Sequence, residues 1–356
     1  MERDLQLNIK NQSRVIVGSS EILLAELLKD KARFIIITDA NIDRIYGARL
    51  PQCDRIIIGV GESSKNLQTV EMICRRLLEF NADRSTFLLG VGGGVVSDIT
   101  GFVAAIYMRG IEFGFVSTTL LSQVDAGVGG KNGVNFDGFK NMIGTFLQPK
   151  FVICDPAMLS SLSEREFRSG MAEIIKSAII SSKSLFEQLE KCDITSLRED
   201  SSQLSQIIFD TIKIKADIVE RDERETGERR KLNLGHTFAH AIEKSSTVMN
   251  HGEAVAVGIS LVAKMSKELG LLCDSDFERI ISILTQFGFE LQSPVSMAKM
   301  LKLIVHDKKA YADIINMVLP VAISDCEVRR MTIEEISELN KPLRIESLGE
   351  TKTPLI

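Results

Sequence analysis

The sequence has few of the features that mark secreted, membrane-embedded or nucleic-acid-binding proteins. Its six cysteines include no CxxC pair, and a chain of 356 residues can fold without disulfides, so we expect reduced thiols and a cytoplasmic protein. No apolar run approaches the roughly 18 residues that span a bilayer, and segment 254–263 is among the longest. The first ten residues, MERDLQLNIK, lack the apolar region of a signal peptide, so we expect none.

Charge of either sign is not in large excess. The 43 Lys and Arg against 48 Asp and Glu give a net charge of −5, which argues against a dedicated nucleic-acid binder. Hydrophobic residues make up 44% and charged residues 26%, the ordinary composition of a globular protein, and the length suggests two domains. We therefore expect a globular protein with neither a nucleic-acid nor a membrane partner.

The first part of the chain alternates short β-branched runs with helical patterns, which is typical of a parallel α/β sheet. The predicted strands are 33–38, 55–60, 86–91, 113–116 and 151–154, and the predicted helices between them are 67–80 and 95–107. From residue 163 the patterns are long and helical, at 164–180, 197–223, 231–245 and 252–269, and strand-like runs are scarce until 314–320. This predicts an α/β domain over 1–157 and a mostly helical domain over 158–356.

A glycine-rich turn, GVGGGVVSD at 90–98, follows a predicted strand and opens a helix. In that position backbone N–H groups can hold a diphosphate at the helix N-terminus. The spacing departs from GxGxxG, because Val95 occupies the last position. A tight turn without a ligand is the alternative.

A second glycine cluster at 127–133 contains Lys131, and the pair Thr118-Thr119 precedes it. A lysine among glycines is typical of a phosphate site, since glycine brings the backbone close and lysine adds a point charge. Lys140-Asn141 repeats the pattern nearby. The alternatives are helix capping by the threonines and a solvated surface lysine.

Three of the four histidines lie within sixteen residues: His236, His240 and His251. The first two are four residues apart on one helix face, and the third opens the next helix, so they can converge on a metal. There is no HExxH motif of a metalloprotease. A further ligand is available from Glu173, which shares a helix face with Lys176 among apolar neighbours; an ordinary intrahelical ion pair is the alternative.

These motifs follow the order found in one enzyme family, and the chain resembles the 3-dehydroquinate synthases of the sugar phosphate cyclase superfamily. The matching segments are long, specific and spread over about 60–310. They are GVGGGVVSDITGFVAAIYMRG (90–110), STTLLSQVDAGVGGKNGVN (117–135), GFKNMIG (138–144), GMAEIIK (170–176), DERETGERRKLNLGHTFAHAIE (222–243), HGEAV (251–255) and HDKK (306–309).

The resemblance implies an N-terminal nucleotide-binding α/β domain and a mostly α-helical, metal-binding C-terminal domain, with the active site between them. It implies tightly bound NAD and one divalent metal, zinc or cobalt. By position, the implied metal ligands are Glu173, His236 and His251. His240 then takes a role in substrate binding or proton transfer, although spacing alone favours His236 and His240 as paired ligands.

The resemblance also assigns residues to cofactor and substrate. The implied NAD positions are Asp39, Asn41, Gly61, Glu62, Lys65, Gly93, Gly94, Asp98, Thr118, Thr119, Lys131, Lys140 and Ser161. The implied catalytic and substrate positions are Arg109, Asp125, Lys131, Asn141, Lys176, Lys215, Glu225, Arg229, Asn233, His240, Lys308 and Lys309. In the family the Arg109 position reaches across the interface of a homodimer, and the sequence does not say which of Lys308 and Lys309 faces the substrate.

The implied activity is that of a carbon–oxygen lyase acting on phosphate, in the shikimate pathway to chorismate and the aromatic amino acids. A phosphorylated sugar acid, 3-deoxy-D-arabino-heptulosonate 7-phosphate, becomes 3-dehydroquinate and phosphate through transient oxidation by NAD, phosphate elimination, re-reduction and intramolecular aldol closure. One departure from the family is Val60, which stands where an aspartate is common and removes a potential ribose contact.

Three alternatives remain open at the level of sequence. One is a metal-dependent alcohol or polyol dehydrogenase, which has a similar fold but lacks the set of phosphate-binding lysines. Another is a cyclase that forms a different carbocycle. The last is a non-catalytic protein that binds NAD or metal.

Overall fold

The computed structural model describes residues 2–8, 12–246, 248–307 and 314–340. Its strands are β1 (Arg3–Leu7), β2 (Ser13–Val17), β3 (Phe34–Asp39), β4 (Arg55–Ile58), β5 (Phe87–Gly92), β6 (Phe113–Ser117), β7 (Lys131–Phe136), β8 (Phe139–Phe146), β9 (Phe151–Cys154), β10 (Ile314–Ala322) and β11 (Asp325–Thr332). Its helices are α1 (Ser20–Leu27), α2 (Ala40–Tyr46), α3 (Leu67–Glu79), α4 (Gly94–Ile106), α5 (Glu164–Ser181), α6 (Lys183–Leu189), α7 (Ile194–Glu199), α8 (Ser201–Arg221), α9 (His236–Ser245), α10 (His251–Glu268), α11 (Asp274–Gln286), α12 (Met297–Asp307) and α13 (Ile333–Glu338).

The first part of the chain forms a sheet of seven strands in the order β1-β2-β9-β6-β5-β3-β4. All neighbouring strands from β2 to β4 are parallel, and β1 adds an antiparallel edge. This confirms the predicted parallel α/β sheet. The sequence did not predict β1, since RDLQL is polar and half-exposed, and β2, whose SRVIV is mostly buried, was also missed.

Both faces of the sheet are buried, which explains the continuous apolar runs of its central strands. Successive residues of a strand point to opposite faces. Ile35 and Ile37 therefore pack into the core shared with the helical part of the chain, whereas Ile36 faces a smaller core beneath α1 and α2. Phe87 and Leu88 alternate in the same way on β5.

The helical part is built around α5, which is buried along almost its whole length. Glycines let α10 cross its neighbours closely. A Cβ added to Gly252 would lie 2.4 Å from the Cα of Ser169 on α5, and one added to Gly258 would lie 2.0 Å from the carbonyl oxygen of Gly235, just before α9. The starts of α9 and α10 are thereby brought against the middle of α5.

Two predicted helices are interrupted in the structure. The helix predicted over 197–223 is two helices, because the Asp200 carboxylate accepts hydrogen bonds from the backbone N–H groups of Ser202 (3.0 Å) and Gln203 (2.9 Å) and starts α8. The helix predicted over 231–245 begins as a 3-10 turn, and Gly235, with φ of 78°, separates that turn from α9.

Two hairpins were not predicted. Strands β7 and β8 pair antiparallel and pack on α4, where Gly101 leaves room for the side chain of Asn132. Strands β10 and β11 form a hairpin in the otherwise helical part. Among the described residues, no helix is both long and apolar enough to cross a membrane.

Candidate active site

Three predicted metal ligands converge from three different helices. Glu173 lies in the middle of α5, His236 is the first residue of α9, and His251 is the first residue of α10. Oε1 of Glu173 lies 3.6 Å from Nε2 of His236 and 3.4 Å from Nε2 of His251. All three offer a ligand atom within 4.8 Å of one another.

Backbone and carboxylate groups orient both imidazoles. Nδ1 of His236 lies 3.1 Å from the carbonyl oxygen of Leu234, which directs its Nε2 toward Glu173. Nδ1 of His251 lies 3.5 Å from Oε1 of Glu243, so this ring stands between two carboxylates. His240 is one turn further along α9, with its ring centroid 5.6 Å from that of His236.

The protonation of these groups differs sharply. Burial, and then the nearby Lys176 ammonium, lowers the pKa of His236 to about 3, so this imidazole is neutral. Burial also opposes the charge of His251, but its contacts with Glu173 and Glu243 outweigh burial and raise its pKa to about 10. Burial opposes ionisation of Glu173 as well, but the charge of Lys176 prevails and holds its pKa well below the usual range.

The start of α10 is fixed to α5 by a network of hydrogen bonds. The Arg165 guanidinium donates to both carboxylate oxygens of Glu253, at 2.8 and 2.6 Å. Asn250 and Glu253 form a capping box, with Asn250 N–H donating to Glu253 and Glu253 N–H donating to Asn250. Because Glu173 is on α5 and His251 opens α10, this network sets the spacing between two of the three converging residues.

Lys176 and Lys215 enclose the carboxylate of Asp125. The Lys215 ammonium donates to Oδ1 of Asp125 at 2.7 Å and to its carbonyl oxygen at 2.6 Å. Lys176 is 2% exposed, pairs with Glu173 and lies 3.9 Å from Asp125. Burial opposes ionisation of Asp125, but the two ammonium groups outweigh it and lower its pKa. Burial lowers the pKa of Lys215 itself.

A second set of polar residues adjoins the first. Lys131, at the start of β7, pairs with Glu225, which also accepts a hydrogen bond from Asn233. Arg229 is 2% exposed, and its Nη2 donates to the carbonyl oxygen of Gly129 at 3.0 Å. Burial lowers the pKa of Arg229. The described residues thus gather several cations beside the converging ligands.

The glycine-rich turn lies at the carboxyl edge of the sheet. Gly93 caps α4, and a Cβ there would lie 3.0 Å from Cγ2 of Thr119. The Thr119 hydroxyl accepts a hydrogen bond from the N–H of Ser122 at 3.1 Å, as the capping alternative predicts. Oγ1 of Thr118, however, is buried and has no hydrogen-bond partner among the described residues. A buried hydroxyl without a partner favours a ligand at this turn.

Further predicted cofactor positions cluster beside the hairpin. Lys65 pairs with Asp98 on α4 and donates to Oδ1 of Asn141 at 2.5 Å. Burial raises the pKa of Asp98, and Lys65 opposes that rise. Asn135 binds Glu62 at 2.8 Å and accepts from the N–H of Asn141 at 2.9 Å. The segment before α3 is therefore joined to the β7–β8 hairpin.

Other predicted positions follow the strand ends. Asp39 caps α2 by accepting from the N–H groups of Asn41 and Ile42, both at 2.9 Å. Gly61 has φ of 85° and no atom within 4 Å of an added Cβ. Ser161 accepts a hydrogen bond from the Tyr46 hydroxyl at 2.7 Å.

The carboxyl ends of parallel strands meet at one edge of the sheet, where open α/β sheets bind ligands. Gly93 and Thr118 directly follow β5 and β6, Gly61 comes three residues after the end of β4, and Asp39 ends β3. The predicted Lys308 and Lys309 lie outside the described residues. Arg109 is exposed at the opposite end of α4.

The residues present fit the groups that the resemblance implies. A buried carboxylate oxygen that faces two imidazole nitrogens, and that has no hydrogen-bond partner in the described structure, provides the N and O donors typical of a zinc site. The glycine turn at a helix N-terminus and the unpartnered Thr118 hydroxyl suit a dinucleotide.

Two contributors to this region were missed from the sequence. Glu243 touches His251 and also binds Nζ of Lys140 at 2.8 Å. Arg165 ties α10 to α5. The sequence did contain a signal for Glu243, because it lies seven residues after His236 and so shares its helix face. No local sequence pattern indicates the contact of Arg165 with Glu253.

Comparison with known proteins identifies the family. Profiles described as 3-dehydroquinate synthase N-terminal and C-terminal match residues 55–169 and 170–310. The 3-dehydroquinate synthase of Thermodesulfovibrio yellowstonii is 44% identical over 92% of this chain and 93% of its own length, and that of Dictyoglomus thermophilum is 40% identical over 91% and 94%.

A solved structure shows the same architecture. It is 2-epi-5-epi-valiolone synthase from Streptomyces hygroscopicus with NAD+ and Zn2+ bound, which matches with a TM-score of 0.84 and 28% identity over 91% of this chain and 94% of that one. The fold of this chain is therefore that of the sugar phosphate cyclases. Within that class, the chain belongs to the 3-dehydroquinate synthase family.

Proposed function

We propose that this protein is a 3-dehydroquinate synthase that uses NAD and one divalent metal, zinc or cobalt. It converts 3-deoxy-D-arabino-heptulosonate 7-phosphate to 3-dehydroquinate and phosphate in the shikimate pathway. The observation that carries the proposal is the meeting of the Glu173, His236 and His251 cluster with buried Lys176, Lys215 and Arg229. A dehydrogenase acting on an uncharged alcohol has no use for so many buried cations.

Glu173, His236 and His251 hold the metal, and the turn at Gly93 and Gly94 with Thr118 holds NAD. Held there, NAD would supply reversible hydride transfer and the metal would supply Lewis-acid polarisation of the oxygen at the reacting carbon. Further proposed contacts to NAD come from Asp39, Asn41, Gly61, Glu62, Lys65, Asp98, Thr119, Lys131, Lys140 and Ser161. The substrate sits between these two sites.

The substrate is anionic at both ends, and the protein supplies the matching cations. Lys131, Lys176, Arg229 and Asn141 bind the phosphate and orient it for elimination, since charge-assisted hydrogen bonds are the strong ones. One lysine of the pair 308/309 completes this set. Local charge decides the recognition, although the whole chain is acidic.

The proposed proton-transfer groups are buried side chains near the substrate site whose pKa values are shifted. Lys215 has a lowered pKa because of its burial, and it is hydrogen-bonded to Asp125, whose pKa is also low. The lowered pKa lets Lys215 release a proton more readily than a free lysine does, while the ionised Asp125 holds its ammonium in place. Asn233, held by Glu225, and His240 orient the hydroxyl groups.

We propose that the enzyme is a homodimer in which Arg109 of a second copy reaches the site. Met108, Arg109 and Gly110 all have positive φ, a strained arrangement that points to a functional constraint. Arg109 lies one full helix of 13 residues, roughly 20 Å, from Gly93 of its own chain. Ile106 and Met108 beside it are 44% and 39% exposed and provide apolar area for an interface.

We further propose that the protein works in the cytoplasm and divides into domains 1–157 and 158–356. Free thiols at all six cysteines support the first proposal. The short helix Pro156–Ser161, which links the last sheet strand to α5, supports the second.

The function is tested by incubating the purified protein, with NAD and Zn2+ or Co2+, with the seven-carbon phosphorylated acid. We expect equimolar release of phosphate and 3-dehydroquinate with no accumulation of NADH. Accumulating NADH with a simple alcohol would indicate a dehydrogenase instead. A different carbocyclic product from another sugar phosphate would indicate a cyclase of another specificity.

Replacing Lys131 with alanine should weaken binding of the phosphorylated substrate. Loss of one charge-assisted hydrogen bond costs about 1.5–3 kcal/mol, so KM should rise by about 10- to 100-fold. The control is Lys150→Ala. Lys150 is exposed at the amino end of β9, on the sheet edge away from the site, and it forms an exposed ion pair with Glu112. Equal KM values for the two variants would show that the glycine-rich loop is only structural.

A further inference from the structure

Glu243 is a buried carboxylate that has no part in the proposed metal, NAD or substrate contacts. Its side chain is 8% exposed, and Oε2 is buried without a hydrogen-bond partner among the described residues. Its other oxygen, Oε1, lies 3.5 Å from Nδ1 of His251 and 2.8 Å from Nζ of Lys140. The contact with Lys140 joins parts of the chain that are 103 residues apart in sequence.

The position of Glu243 follows from the helix that carries it. His236, His240 and Glu243 are spaced by four and three residues on α9, so they line one face of that helix. The first two turns of this face therefore meet the start of α10, where His251 projects. A glutamate at that place reaches the ring nitrogen that points away from Glu173.

A metal-binding histidine usually donates its second ring N–H to a carboxylate or carbonyl. His236 has such a partner in the carbonyl oxygen of Leu234. Glu243 supplies the corresponding partner for His251, which has no backbone carbonyl in that role among the described contacts. Without this acceptor, the ring can turn and Nε2 loses its alignment with Glu173.

Lys140 extends this contact to the nucleotide-binding half of the protein. It lies on β8 of the hairpin, next to Asn141, which Lys65 binds. Its side chain is 42% exposed, and its ammonium lies 2.8 Å from Oε1 of Glu243 and balances the charge of that carboxylate. The hairpin and the metal cluster thus share one carboxylate.

We propose that Glu243 is a positioning residue that orients His251 for metal binding and, through Lys140, couples the β7–β8 hairpin to the metal cluster. This inference rests on the proposed metal site at Glu173, His236 and His251. It assigns no ligand role to Glu243 itself, because its Oε1 lies against Nδ1 of His251 and Glu243 is not among the three residues whose ligand atoms converge.

The test measures Zn2+ affinity by competition with a chromophoric chelator, with the full chain and without substrate. Glu243→Gln, which exchanges the carboxylate for a weaker, neutral amide acceptor, should bind Zn2+ about 10- to 100-fold more weakly than the wild type, as is typical when such a partner is changed. Glu243→Asp, which keeps the charge, should recover part of that loss. The Co2+ absorption spectrum should change in Glu243→Gln, since the orientation of His251 changes the ligand field.

The matched control is Glu268→Gln, which removes an exposed carboxylate paired with Lys264 on α10 and should leave Zn2+ affinity unchanged. Wild-type affinity in Glu243→Gln would overturn the proposal, as would an equal loss in Glu268→Gln. A wild-type protein that binds no Zn2+ would instead contradict the proposed metal site, so the two failures are distinguishable.

A double-mutant cycle tests the coupling to the hairpin. Lys140→Met leaves the charge of Glu243 unbalanced and should tighten Zn2+ binding by about two- to fivefold, at the low end of coupling between contacting residues. In the Glu243→Gln background the same substitution should have no effect on Zn2+ affinity. Equal effects in both backgrounds would show that Lys140 does not act through Glu243.

Discussion

The His236→Ala variant loses the divalent metal and falls in turnover by about a thousandfold or more. His236 is neutral, so it can bind a metal through Nε2, which lies 3.6 Å from Oε1 of Glu173. Among the described residues, it is the one member of α9 whose nitrogen belongs to the converging ligand atoms. Metal polarisation of a substrate oxygen contributes several kcal/mol, and each factor of ten in rate corresponds to about 1.4 kcal/mol. Metal content by elemental analysis and turnover by phosphate release measure the two losses.

The matched variant is His240→Ala, one helical turn further along α9. Its ring lies beside that of His236 but outside the group of converging ligand atoms. We expect this variant to keep the metal and to lose turnover only. A His236→Ala protein that retains stoichiometric zinc, or a His240→Ala protein that loses it, would contradict the ligand assignment.

Lys176→Met should destabilise the metal-free protein by about 3–5 kcal/mol, the usual cost of removing one partner from a buried ion pair. Lys176 is 2% exposed and stands between Glu173 and Asp125, so its removal leaves two carboxylates without their shared cation. A bound divalent ion replaces part of that positive charge. The loss should therefore be smaller when Zn2+ is present.

Urea unfolding with and without Zn2+ measures both effects. Lys264→Met is the control, because Lys264 is 42% exposed and its pair with Glu268 at 3.6 Å is at the surface. Exposed pairs contribute little, so this variant should lie within about 1 kcal/mol of the wild type. A Lys176→Met protein as stable as this control would mean that the buried pair has no role in balancing charge.

The sheet and its ligand-binding edge could be predicted because their signals are local. Runs such as RFIIIT at 33–38 are apolar on both faces, as buried parallel strands require. The glycines at 92–94 directly follow such a run and precede a helix, which is where the structure has them. The pairing of β1 with β2 gave no such signal, since an edge strand carries polar residues.

The break between α7 and α8 shows why helix boundaries were harder to predict from the sequence than the sheet. Leu197 and Leu204 on either side of Asp200 are both buried in the same core, so the apolar pattern runs on through the break. Only the hydrogen bonds of the Asp200 carboxylate reveal the new helix start. Such a cap is visible in a sequence only when the flanking pattern also changes.

In the candidate site, too, residues could be predicted from local motifs, whereas contacts between distant parts of the chain could not. The resemblance to the family indicated Glu173, His236 and His251, and the structure brings their ligand atoms together. Spacing alone favoured His236 with His240, because residues four apart face the same side of a helix. The contact of Glu243 with Lys140 joins a helix to a hairpin about a hundred residues away, and no sequence pattern encodes that distance.

The proposed reaction oxidises and re-reduces carbon 5 of the substrate, so the fate of the hydrogen on that carbon tests it most directly. When the substrate carries deuterium there, transient oxidation and re-reduction at one site predict 3-dehydroquinate that keeps the deuterium at the same carbon, with equimolar phosphate and no NADH left over. Deuterium that accumulates in free NADH, or a product formed without phosphate release, would contradict the proposed function.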